Sequence, residues 1–107
     1  MDKRKLPENV IAEVNEYRNI LKADQLPISE MYVFGSFAKG TPRKGSDIDV
    51  CVVSPKFKNA WDALTYLRRK VPFGLGWSIE PLGFSPEEFE DKYSTLIHEI
   101  KKHGVRV

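Results

Sequence analysis

The fifteen residues from Gly35 to Asp49 constrain the fold more than any other part of the chain. The apolar run Met31-Tyr32-Val33-Phe34 stops abruptly at Gly35, which reads as a strand ended by a turn. Only Ser36 to Lys39 precedes Gly40, enough for one short helical turn, and Thr41 to Ser46 is punctuated by proline and glycine. A second strand then follows, with Ile48, Val50 and Val52 alternating with Asp47, Asp49 and Cys51 until Ser54-Pro55. Gly35-Ser36 closes the first strand and Asp47 opens the second. Those ends adjoin if the strands run antiparallel with segment 36–46 as their connection.

The flanking sequence supplies helices for such a sheet. From Pro7 to about Lys22, Val10, Ile11, Val14, Tyr17, Ile20 and Leu21 recur at helical spacing, with proline tolerated at the start. Asn59 to Lys70 is a second helix with Ala60, Ala63, Leu64 and Leu67 on one face, and Arg68-Arg69-Lys70 suit its C-terminal dipole. Gly74 to Leu82, carrying Trp77, Ile79 and Glu80, reads as a third strand. Ser85-Pro86-Glu87-Glu88 has the form of a capping box, predicting a last helix through Phe89, Tyr93, Leu96, Ile97 and Ile100 to a stop at Gly104. Val105-Arg106-Val107 can add a short edge strand. The expected fold is α/β (α+β), a small mixed sheet of three to four strands flanked by helices, in one domain over residues 1–107.

The chemistry follows from the same central segment. Residues two apart in a strand project from one face, so Asp47 and Asp49 present adjacent carboxylates. Two anions this close are costly without a cation between them, and hard oxygen ligands at an open site favour Mg²⁺ or Mn²⁺. Gly35-Ser36 begins a helical turn straight after a strand, where free backbone N–H groups and the helix dipole attract an anion. Glycine allows phosphate close to the main chain, and the Ser36 hydroxyl adds a donor. The pair points to a metal-bound nucleoside triphosphate. Glu80, the internal acidic residue of the third strand, is the candidate third carboxylate, either holding a second ion or serving as base for the attacking hydroxyl. Lys39, Arg43 and Lys44 are placed to neutralise triphosphate charge, and Ser46 either binds nucleotide or fixes the turn before Asp47.

Gly35-Ser36, Gly40, Ser46-Asp47-Ile48-Asp49 and Glu80 resemble the active-site pattern of the DNA polymerase β-like nucleotidyltransferase superfamily. The Gly-Ser-x10-Asp-x-Asp spacing and the short chain are most similar to its minimal nucleotidyltransferases, and Glu99 to Gly104 resembles their final helix and turn. The resemblance implies the polymerase β-like nucleotidyltransferase fold and Mg²⁺-dependent transfer of a nucleoside monophosphate, usually AMP from ATP, to a hydroxyl acceptor. Asp47 and Asp49 would bridge two ions, Glu80 would bind the catalytic one, and Gly35 and Ser36 would hold the β/γ phosphates. Many such proteins act as antitoxins of a small helical HEPN partner, some by adenylylating a tyrosine on it. The superfamily often has aspartate at the third position, whereas this chain has the longer Glu80 followed by Pro81.

Other features narrow the field. Net charge is only +2, so nucleic acid is not expected as a direct substrate. No apolar run approaches the ~20 residues that cross a bilayer, and with a single cysteine the cytoplasm is the expected location. Cys51 is expected to be buried, and Trp61 and Trp77 to lie in the core or at an interface. Two rival readings stand beside the enzyme. One is a non-catalytic module that neutralises a partner toxin by occlusion. The other is transfer to a small-molecule hydroxyl, weakened by the lack of an acceptor-binding domain.

Overall fold

The computed structural model describes residues 6–72 and 77–107, so the first part of the expected Gly74–Leu82 strand lies outside the described residues. Helix α1 (Glu8–Ala23) buries Val10, Val14, Tyr17 and Leu21 along one stripe. It ends with Gln25 in the left-handed region (φ 62). There the Leu26 N–H donates to the Leu21 carbonyl and the Gln25 N–H to that of Lys22. This is a Schellman closure made without glycine, locked by burial of Leu26.

Strand β1 (Glu30–Phe34), the single turn α2 (Ser36–Lys39) and strand β2 (Ile48–Val53) follow, then helix α3 (Ala60–Lys70) and strand β3 (Ile79–Phe84). A 3-10 turn (Glu88–Glu90), helix α4 (Thr95–His103) and strand β4 (Val105–Arg106) complete the order. The sheet is mixed and four strands wide, in the order β3-β2-β1-β4. β1 is antiparallel to β2 and β4, while β2 and β3 are parallel and need the crossover that α3 provides.

Alternation along the strands divides the core between two faces. Val33, Ile48, Val50, Val52 and Ile79 pack with α1 and α3, where the buried Tyr17 hydroxyl donates to the Leu67 carbonyl at 2.7 Å. Tyr32, Cys51 and Val53 pack on the other face with Phe89, Ile97 and Ile100. Cys51 is fully buried there, and burial pushes its thiol up to about 12, so it serves as a small packing group.

Two expectations are corrected. The capping box forms, with the Glu88 N–H donating to Ser85 Oγ and the Ser85 N–H to Glu88 Oε1, but it caps only the 3-10 turn. The chain extends at Asp91, and Ser94 caps the helix proper by accepting from the Ile97 N–H at 3.1 Å. Tyr93 therefore lies outside the helix and is 94% exposed. On α3 the buried residues are Ala63 and Leu67, whereas Ala60 and Trp61 face solvent. Gly104 stops α4 as expected, in an extended conformation (φ −66, ψ 149).

β3 begins at Ile79 and continues to Phe84, beyond the expected end. Its carbonyls at Ser78 and Phe84 accept from Ile48 and Ser54, so alternate residues from Ser78 onward face β2. Ile79, Pro81 and Gly83 turn their backbone to the free edge, and Pro81 brings no N–H there. Gly83 is also where α3 meets the sheet. A Cβ would lie 2.8 Å from a Phe57 ring carbon and 2.9 Å from a Leu67 methyl. Gly83→Ala should therefore lower stability by roughly 1–3 kcal/mol through overpacking. Chemical denaturation measures this, and a wild-type midpoint would contradict it.

Candidate active site

The register brings the candidate residues to one end of the sheet. Phe34, the last residue of β1, pairs with Asp49, and Asp49 pairs across the parallel ladder with Glu80. The expected antiparallel joining of the Gly35-Ser36 and Asp47 strand ends is thus present. Asp49 is half-buried, whereas Asp47 and Glu80 are exposed.

Gly35 adopts φ 73, ψ −148, a conformation suited to glycine. A Cβ at this position would collide with the Asp49 carboxylate oxygen. Backbone and carboxylate are packed so closely that the turn and the acid cannot be positioned independently. Inside α2, Ser36, Phe37 and Ala38 have no i−4 acceptor for their N–H groups; the first such bond runs from the Lys39 N–H to the Gly35 carbonyl. Gly40, left-handed at φ 75, ends the turn.

Burial raises the Asp49 carboxyl above the usual carboxylate range, and the charges of Asp47 and then Glu80 add to it. Three acids repelling one another at the end of a sheet form a donor set suited to a divalent cation, which would remove that repulsion. Among the described residues, however, no three acid, histidine or cysteine side chains converge closely enough to hold a metal as they stand. Glu80 is turned to Arg68 of α3, whose guanidinium lies 3.4 Å from its Oε2.

The basic and hydroxyl candidates separate. Lys39 pairs with Glu99 of α4 at 3.5 Å, whereas Arg43 and Lys44 are exposed and make no ion pair with another described residue. Ser46 holds the turn: its Oγ accepts from the Arg43 N–H at 2.7 Å and its own N–H donates to the Arg43 carbonyl. Arg68 and Glu99 escaped the sequence reading because each faces the site from a distant helix. A cavity of about 490 Å³ lies at the opposite end of the sheet between Leu26, Phe57 and Tyr66. Beside Glu80 there is a shallower depression of about 270 Å³, lined by Arg68, Val71, Pro72, Ile79 and Pro81.

A family model described as a nucleotidyltransferase domain matches residues 14–107. The chain belongs to the nucleotidyltransferase domain family. No curated protein sequence gives a match. Among solved structures, a toxin–antitoxin with AMP-PNP has 22% identity and a TM-score of 0.61, covering 86% of this chain and 69% of the other. A mutant of the toxin–antitoxin MntA-HpeT has 18% identity and a TM-score of 0.58, with the same coverages, 86% and 69%. A protein described as a nucleotidyltransferase from Sulfolobus solfataricus has 21% identity and a TM-score of 0.57, covering 94% and 86%. At these identities the likeness establishes the nucleotidyltransferase fold, in agreement with the expected α/β class. No described helix is long and apolar enough to cross a membrane.

Proposed function

We propose that this nucleotidyltransferase domain transfers a nucleoside monophosphate, AMP from ATP, to a hydroxyl of a partner protein and so acts as an antitoxin. The observation that carries this reading is the Asp49 carboxylate. It is packed against the Gly35 turn on one side and strained by Asp47 and Glu80 on the other. Asp47, Asp49 and Glu80 are the residues that would hold Mg²⁺ or Mn²⁺. Bound there, the ions would neutralise charge on the transferring phosphoryl group and promote attack by the acceptor hydroxyl.

The protein's own groups divide the remaining work. Gly35 and Ser36 give the β/γ phosphates backbone N–H groups and a hydroxyl, and Arg43 and Lys44 offset their charge from the connecting loop. Lys39 can join them only by leaving Glu99, and Ser46 acts by fixing the turn that aims Asp47. The adenine nucleotide and the toxin partner are suggested by the similar folds solved as toxin–antitoxin structures, one of them with AMP-PNP. A small helical HEPN-type protein with a tyrosine acceptor is the partner that the motif resemblance implies, and the cytoplasm the location.

One observation favours the occlusion reading: Glu80 is engaged by Arg68 and the three carboxylates do not converge. Mass spectrometry of the partner after co-expression separates the two. A mass gain of AMP units that disappears in Asp47→Asn supports transfer. A partner that is bound, inactive and unmodified would leave occlusion as the function.

A further inference from the structure

Trp61 is 76% exposed on the outer face of α3, at the position where a helix packed on a sheet normally shows polar side chains. The stripe opposite the buried Ala63 and Leu67 runs through Trp61, Thr65, Arg68 and Arg69. Arg69 is exposed and makes no ion pair with another described residue. From Trp61 to Arg68 is about two helical turns, roughly 10 Å. At its far end the stripe reaches the candidate site, since Arg68 reaches round the sheet edge to Glu80 at 3.4 Å. The apolar depression of Val71, Pro72 and Pro81 continues the surface there.

Tryptophan and arginine are the side chains that most often anchor protein interfaces. From this juxtaposition we infer that the outer face of α3 docks an acidic segment of the protein that receives the nucleotide, with Trp61 as apolar anchor and Arg68 and Arg69 as the charged contacts. The occupant is acidic because Arg69 makes no ion pair with another described residue and Arg68 is held only by an exposed 3.4 Å contact with Glu80, while Asp62, the carboxylate bordering the stripe, accepts from the Lys58 N–H. A partner carboxylate arriving at Arg68 competes directly with Glu80 for it. Docking thus takes place beside the acid that the proposed reaction needs near the acceptor hydroxyl. The inference rests on the transferase reading for the identity of the partner, but the surface can be tested by binding alone.

The probe is a random Glu–Tyr copolymer, which offers carboxylates to the arginines and aromatic rings to Trp61. Emission is read in a Trp77→Phe background, so that the signal comes from Trp61. The expected result is a saturable blue shift, with affinity weakened about tenfold or more by Arg68→Gln with Arg69→Gln. A Lys–Tyr copolymer should produce no shift. Thr65→Glu, which adds a negative charge at a half-buried position on the same stripe, should weaken binding while leaving the circular dichroism unchanged. An equal response to both copolymers, or wild-type affinity in the arginine variant, would overturn the inference. So would equally tight binding of a single-stranded oligonucleotide, or a Trp61 shift produced by self-association alone. Asp47→Asn should bind the copolymer normally. Lost labelling with binding retained in the wild type therefore counts against the transferase reading, and lost binding with labelling retained counts against this surface.

Discussion

Asp49→Asn should abolish nucleotidyl transfer and at the same time make the metal-free protein more stable near neutral pH. The loss of transfer, measured with α-labelled ATP, is expected to exceed about 10³-fold, and Asp47→Asn should match it, because both remove charge from the proposed ion site. The gain in stability comes from the raised Asp49 carboxyl, held up by burial first and by Asp47 and Glu80 next. A carboxyl whose folded pKa exceeds its unfolded value binds its proton more tightly in the native state. Its contribution is therefore most favourable at acid pH and is lost as pH rises from the ordinary carboxylate range through the raised value. Asparagine does not ionise. The melting temperature of Asp49→Asn minus that of the wild type should grow across that window, and other titrating groups largely cancel in the difference. Mg²⁺ should then narrow the gap by stabilising only the wild type. A variant less stable than the wild type at every pH, or undiminished labelling in both variants, would refute the assignment of this cluster.

Gly35→Ala should be the most destabilising conservative change in the connecting segment. Backbone at φ 73, ψ −148, a region essentially confined to glycine, costs a residue with a Cβ about 1–3 kcal/mol. The added methyl must also displace the Asp49 carboxylate, with which it would collide, for another ~1–3 kcal/mol. A total of roughly 3 kcal/mol lowers the melting temperature of a domain this size by on the order of 10 °C or more. Gly45→Ala is the control, since its φ of 82 also carries a positive-φ backbone cost while a Cβ there meets nothing within 4 Å. Calorimetry of the two variants should show the larger loss for Gly35→Ala, and equal losses in both would mean that the close approach of turn and acid costs nothing. Transfer should fail in Gly35→Ala even where the protein stays folded, because Asp49 has moved.

The centre of the molecule was legible because there local and long-range requirements coincide. A glycine that ends one strand and two acids that open the next leave few ways to connect them, and the register of Phe34 with Asp49 is the one implied. The last third was less legible. Two capping signals, Ser85 to Glu88 and Ser94, lie nine residues apart and both are satisfied. Pattern alone cannot say that the first stops after one turn, because the break depends on the extended backbone at Asp91 and its carboxylate accepting from the Tyr93 N–H. Of the two places expected for Trp61, core or interface, the core is excluded, because the helix is oriented by Ala63 and Leu67, which meet the sheet where Gly83 makes room. The engagement of Glu80 by Arg68 depends on how α3 lies along β3, which residue spacing does not encode.

The backbone at the free edge of β3 bears on how the protein fares in a crowded cell. Ile79 and Gly83 have the outward N–H groups of that strand, separated by about 13 Å of chain, and Pro81 between them has none. A strand from another molecule, approaching to extend the sheet, would find the middle one of three donors missing from its template. The opposite edge, β4, is two residues long and gives such a strand little to align on. A sheet that must keep one end open for chemistry is in this way closed to polymerisation at its sides, and a residue that looks like a fault in a strand acts as its safeguard against aggregation.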